Sequence, residues 1–281
     1  MASSSWIVAC ALLASDAFGA EAIRIESAHF ESHGVTLAGS IAFPVAAPPH
    51  AAVVFIHGSG KQTRNLELAQ RLARAGIAAL VYDKRGAGES GGEYEGNQSV
   101  SEQNISLLAD DAVAALNALA ARPALENVPL GFTGISQAGW IAPLAARRSG
   151  RTRFLLLWSG PVCKVSEEDI YSIYTHDADT RPVPSYATAL ASREEPYLWP
   201  AFLGVDTDPA TSLRELDIPG FWIFGDGDGS IPVDLSIARL KALRDTGHHY
   251  DDVLVPGAGH NNIDATFEIA VDWIRRVSRP D

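Results

Sequence analysis

The chain has 281 residues, of which 47% are hydrophobic and 20% charged, with a formal net charge of −12. This is the composition of a globule that can bury a sizeable core. The acidity argues against nucleic acid or an anionic membrane surface as a partner, because neutralising phosphates takes clustered Lys and Arg that this chain lacks.

Taken in order, Trp6 to Ala14 form an apolar run of signal-peptide length, and Ala20-Glu21-Ala22 has the A-x-A form of a cleavage site. The run predicts a leader over residues 1–22 and a single domain over 23–281, placed in the periplasm or secreted. The absence of Lys or Arg from Met1 to Ser5 keeps a cytoplasmic location as the alternative. The run is too short to span a bilayer. Ile23 to Phe30 and Thr36 to Phe43 predict two strands around a turn at Ser32-His33-Gly34, followed by a proline-rich loop. Ala51 to Ile56 is an unbroken apolar run, as in a strand buried on both faces of a parallel sheet, and it ends in His57-Gly58-Ser59-Gly60. Leu66 to Ala73 has helical spacing, Gly76 fits a C-cap, and Ile77 to Tyr82 is the next strand. Ile105, Leu108, Ala112, Leu116 and Leu119 mark the face of a long helix. Further strands are predicted at Val128 to Thr133, Arg153 to Trp158, Pro219 to Phe224 and Asp252 to Val255, and the last helices at Leu235 to Leu243 and Phe267 to Val277. Strands alternating with helices in this way imply an α/β domain with a mainly parallel sheet covered on both faces. Residues 164–213 break the alternation with a polar stretch rich in aromatic residues and proline, which predicts a helical lid.

The chemistry gathers around Gly134-Ile135-Ser136-Gln137-Ala138-Gly139, which lies between a short strand and an alanine-rich helix. A serine at the tip of a strand-turn-helix is held in a strained conformation that lifts its hydroxyl clear of the sheet. The amide of Gln137 opens the helix and points where negative charge builds on an attacked carbonyl. The literal Gly-x-Ser-x-Gly match, Gly88 to Gly92, has no helix after it to hold Ser90 in place. A serine needs a base, and active groups of open parallel sheets collect beyond the carboxyl ends of the strands. Two later post-strand loops offer them: Gly225 to Pro232 carries Asp226 and Asp228, and Pro256 to His260 carries His260. His248 and His249 lie before a strand, at the wrong end. His57 is read as structural, with the amide of Ser59 as the oxyanion donor from its loop. His176 with Asp177 and Asp179 reads as polar loop rather than a metal cluster, and no cofactor or metal is called for.

In family order, His57-Gly58-Ser59-Gly60, Tyr82 to Ser90, Gly134 to Gly139, Gly225 to Asp228 with Ile231-Pro232, and Gly259-His260 resemble the α/β-hydrolase superfamily, in its bacterial esterase and serine-aminopeptidase-like branch. The resemblance covers nearly the whole chain after the leader, and Ala138, in place of the usual glycine, is its one departure. It implies that Ser136, Asp228 and His260 are a triad and that Ser59 and Gln137 supply the oxyanion amides. The fold hosts many chemistries, so the expectation is a serine esterase acting on a small-molecule carboxylic ester, with a peptidase or amidase and a non-catalytic binding protein as alternatives. Tyr171, Tyr197, Trp199 and Phe202 are expected to wall the substrate cleft from the lid. Glu167, Glu168, Asp169, Glu194 and Glu195 would serve a peptidase that grips a free amino terminus. Oligomeric state is not legible.

Overall fold

Turn chemistry is most direct at the first two strands. In the computed structural model, which describes residues 22–279, β1 (Ile23–Ser32) and β2 (Val35–Pro44) pair antiparallel across two residues. His33 and Gly34 have φ of 49° and 71°, the left-handed pair that suits the twist of a tight hairpin. The predicted leader lies outside the described residues except for Ala22.

Six more strands follow: β3 (Ala51–Ile56), β4 (Ile77–Tyr82), β5 (Leu130–Ile135), β6 (Phe154–Trp158), β7 (Gly220–Gly225) and β8 (Tyr250–Val255). They form one sheet in the order β1-β2-β4-β3-β5-β6-β7-β8. The pairs from β4 to β8 are all parallel, and β2 joins β4 antiparallel. The helices are α1 (Leu66–Arg74), α2 (Glu102–Ala120), α3 (Ala138–Ser149), α4 (Val165–Thr175), α5 (Tyr186–Ala191), α6 (Pro209–Leu213), α7 (Val233–Asp245) and α8 (Ile263–Val277).

The apolar runs are unbroken because both faces of the sheet are covered. Along β3, Ala52, Val54 and Ile56 join the core under α2, α3 and α7, while Ala51, Val53 and Phe55 join the core under α1 and α8. Strand side chains alternate with period 2, so both sets must be apolar. Trp158 at the end of β6 is fully buried, and its indole donates to Thr266 Oγ1 of α8 at 2.9 Å. Truncating such a residue costs about 3–5 kcal/mol. The last strand begins at Tyr250, two residues before the predicted start, and as an edge strand it is only partly covered.

Residues 164–213 carry α4, α5 and α6 between β6 and β7, so the helical content predicted there is present. Among the described residues, no helix is long and apolar enough to cross a membrane.

Candidate active site

At the carboxyl end of β5 the chain reverses through Ser136, whose φ of 56° is left-handed. That conformation costs a non-glycine residue of order 1–3 kcal/mol and persists only where its surroundings impose it. Here Ser136 N donates to Trp158 O at 3.1 Å, and Ser136 O accepts from Gly139 N at 2.8 Å as α3 begins. A Cβ on Gly134 would stand 2.5 Å from both Ile56 O and Ala138 Cβ. Glycine at 134 therefore makes room for the methyl of Ala138, and the departure from the family pattern is absorbed.

Ser136 and His260 line the same open cavity, about 630 Å³ in volume, together with Gly58 and Ser59. Among the described residues, the Ser136 hydroxyl has no hydrogen-bond partner, a common state where such bonds tighten only around substrate. His260 sits in the loop after β8, and its Nδ1 is 2.9 Å from both carboxylate oxygens of Asp228. Asp228 is fully buried, and its Oδ1 also accepts from the amides of Ser230 and Ile231 at 2.9 and 3.2 Å. A carboxylate accepting from Nδ1–H leaves Nε2 of a neutral imidazole as the free acceptor. Burial lowers the pKa of His260, but the hydrogen bond and charge of Asp228, with the charges of Asp179 and Asp177, outweigh it and raise the pKa above the ordinary 6.5. Asp226, the other carboxylate of that loop, accepts instead from Gly257 N at 2.9 Å and pairs with Arg181 at 3.2 Å.

The loop after β3 that carries Gly58 and Ser59 is held from below. His57 is buried, donates to the carbonyl of Tyr82, and meets the rings of Phe55 and Tyr82 edge-on. This is the structural place expected of it. Ser90, the decoy serine, is buried and bonded to Asp83 O and Ala38 N, so its hydroxyl is spent on backbone.

The four aromatic residues expected to wall the cleft are elsewhere: none lines the cavity of Ser136. Tyr171 is fully buried, with its hydroxyl directed at Pro184 O and Asp228 O at 3.2 and 3.4 Å. Tyr197 donates to Asp169, Trp199 donates to Gly204 O at 2.8 Å and packs on the core, and Phe202 is 66% exposed. The first three rings anchor the insertion, because each has an apolar body to bury and a polar tip to satisfy. The apolar wall comes instead from Phe55, Leu66, Ile135 and Ile263.

Sequence reasoning missed two residues. Asp179 accepts from His260 N at 3.1 Å and from Gly229 N at 3.3 Å, bracing both the loop of Asp228 and the loop of His260. A Cβ on Gly259 would stand 1.9 Å from Asp179 Oδ2, and one on Gly229 would stand 1.9 Å from Ala178 O. Those two glycines are the available signal, since each marks a close passage of other chain. Lys84 is the second; it lies within the quoted Tyr82 to Ser90 motif, but nothing there reveals what its ammonium touches.

Comparison with known proteins agrees with this architecture. Residues 47–198, over half of the chain, match the family model described as serine aminopeptidase, S33. The chain is 36% identical over 107 residues to the polyketide transferase claH of Penicillium crustosum, a match that spans 38% of this chain and only a third, 33%, of that protein. Among solved structures, the esterase Pf2001 of Pyrococcus furiosus superposes with a TM-score of 0.63 at 17% identity, over 91% of this chain and 88% of the other. The acylaminoacyl peptidase of Pyrococcus horikoshii superposes with a TM-score of 0.61 at 16% identity, over 91% of this chain and 40% of that one. The chain belongs to the serine aminopeptidase, S33 family and has the α/β-hydrolase fold.

Proposed function

We propose that this protein cleaves carboxylic esters through an acyl-enzyme intermediate, with Ser136 as nucleophile, His260 as general base and Asp228 as the carboxylate that orients it. The observation that carries the reading is the Asp228-bonded imidazole sharing one cavity with a serine held at positive φ on a strand-to-helix turn. Ser136 Oγ attacks the carbonyl carbon as His260 Nε2 takes its proton. The amides of Ser59 and Gln137 receive the oxyanion, and its collapse expels the alcohol, which takes the proton from His260. Water then repeats the sequence on the acyl-enzyme.

The family match and the peptidase neighbour favour a second reading, release of an amino-terminal residue from a peptide. Such an enzyme needs an ionised carboxylate facing the cavity to hold the ammonium. Glu167 is engaged with Arg239 and with the amide of Lys164, and Asp169 with Tyr197. Burial, with the charges of Asp169, Asp177 and Asp228, pushes Glu168 up to about 8, so it is protonated at neutral pH. These engagements, together with the absence of Glu194 and Glu195 from the lining of the Ser136 cavity, support the ester reading.

Labelling with a fluorophosphonate, followed by a panel of nitrophenyl esters and aminoacyl nitroanilides, tests it. Labelling of Ser136 with ester turnover above that of every anilide is expected. Faster turnover of an aminoacyl anilide would replace the reading with the peptidase.

A further inference from the structure

Lys84 is 3% exposed. Its ammonium donates to Gly58 O at 2.9 Å and to Gln137 Oε1 at 2.7 Å, while its backbone N donates to Gln62 O at 3.0 Å. Among the described residues, no carboxylate lies within ion-pair distance of it. The neighbouring charges are already matched: Asp83 pairs with Arg64 and Arg85 with Asp111, while His57 is neutral and Tyr94 presents its ring 6.0 Å away. A buried cation without a counterion is expensive, so its position calls for a reason beyond packing.

The two acceptors supply one. Gly58 C=O and Ser59 N–H are the two ends of a single peptide unit, and Gln137 contributes the other amide at the tip of the turn. We infer that Lys84 is the positioning residue of the oxyanion hole, its ammonium holding both donor segments at once and polarising the Gly58–Ser59 peptide so that Ser59 N–H becomes a stronger donor. This inference rests on the triad reading above. A charge on the carbonyl oxygen draws electron density from the nitrogen, and chained hydrogen bonds strengthen one another. The same positive charge lies on the side of the peptide away from substrate, where it favours an oxyanion without touching it. Gln137 Nε2 donates to Ser99 O at 2.7 Å, so the amide that Lys84 grips is itself anchored at both ends.

Two consequences separate this role from a merely structural one. The oxyanion exists only in the transition state, so the effect falls on kcat and not on KM. Burial also lowers the pKa of Lys84 to about 8, and the neutral amine keeps its hydrogen bonds while losing its charge. Activity should therefore decline above pH 8. Stability should not decline with it: a base with a lowered folded pKa is destabilising below pH 8, and that burden is relieved between about 8 and 10.5.

The experiment measures kcat and KM for a nitrophenyl ester from pH 6 to 10 in the wild type, Lys84→Met, Lys84→Arg and Ser136→Ala, with near-ultraviolet circular dichroism as the check on folding. Lys84→Met should lower kcat at pH 7 by about 10-fold or more, leave KM within about 3-fold, and remove the alkaline decline. Lys84→Arg should retain more activity than Lys84→Met and move the decline beyond pH 10. A Lys84→Met enzyme within 2-fold of wild-type kcat, or one that keeps the decline near pH 8, overturns the inference. If Lys84→Met does not fold, an unmoved decline in Lys84→Arg overturns it equally. Full activity in Ser136→Ala would defeat the triad reading itself, whereas a dead Ser136→Ala beside an unaffected Lys84→Met defeats only the role of Lys84.

Discussion

Lowering the pH should destabilise this protein through one buried imidazole that lies outside the proposed triad. His57 is 5% exposed, and burial, the main cause, together with the charge of Lys84 outweighs its bond to Tyr82 O and lowers its pKa from 6.5 to about 4. The unfolded chain therefore binds a proton before the folded chain does. The stability that neutral His57 contributes is present in full above pH 6.5 and is lost as the pH falls through 6.5 toward 4. At about 1.4 kcal/mol per pH unit, the gap amounts to about 3 kcal/mol between pH 7 and pH 4, a substantial part of the total stability of a domain. Urea unfolding of the wild type and His57→Gln at pH 7, 5.5 and 4 measures it, since glutamine keeps a donor for Tyr82 O without a titrating ring. His260 acts in the opposite sense, because its raised pKa adds stability that is full below 6.5 and lost above its folded value. It is common to both proteins and cancels in the comparison. The wild type should lose about 3 kcal/mol more than the variant. Equal losses would refute the reasoning.

The same geometry makes other outcomes specific. Ser136→Ala should lower turnover by about four to six orders of magnitude, while Ser90→Ala should keep activity and lose about 1–3 kcal/mol of stability, having orphaned Asp83 O and Ala38 N; assays and urea melts on both proteins distinguish them. Asp228→Asn should reduce kcat by about 10³ to 10⁴ and Asp226→Asn by far less, because only Asp228 touches His260; the reverse order would exchange their roles. The acid limb of kcat/KM should sit above pH 6.5, where the raised pKa of His260 places it, and a limb near 5 would contradict an Asp228-paired imidazole. Gly259→Ala should cut kcat through its collision with Asp179, whereas Gly247→Ala, with open space about its φ of 98°, should cost only about 1–2 kcal/mol of stability; equal kinetic effects would show that Asp179 braces nothing.

What could be read from the chain was whatever local pattern dictates. β3 and β6 declared themselves because a strand covered on both faces has no polar positions to confuse the pattern, and His33-Gly34 because few dipeptides accept two positive φ values. The strand and helix flanking Ser136 distinguished it from Ser90, which matches the motif better. Long-range polar contacts were not legible. Nothing near Lys84 in sequence shows that its amine reaches Gln137, 53 residues on, and nothing near Asp179 shows that it accepts from His260 N, 81 residues on. The aromatic residues of 164–213 misled for a related reason: aromatic content records how much surface needs covering and not which surface does the covering. The Ser136 cavity found its apolar wall in Ile135 and Ile263, close in sequence to Ser136 and His260.

The crossing of residues 177–181 over the loops that carry Asp228 and His260 bears on how this protein tolerates exchange of its insertion. Asp179 braces Gly229 and His260, Thr180 N donates to Gly227 O at 3.1 Å, and Arg181 reaches Gly257 O and Asp226. The stretch between α4 and α5 is thus both part of the insertion and part of the frame around the imidazole. An exchange of the whole insertion with that of a relative, whether by recombination or at the bench, would discard that brace in one stroke, although no residue of the insertion lines the Ser136 cavity. The rate would suffer, because Gly229 and His260 would lose the carboxylate that holds them. Grafts confined to residues 186–205 leave the brace in place and should leave the rate intact. The practical unit of diversification in this protein is therefore shorter than the insertion that the sequence marks out.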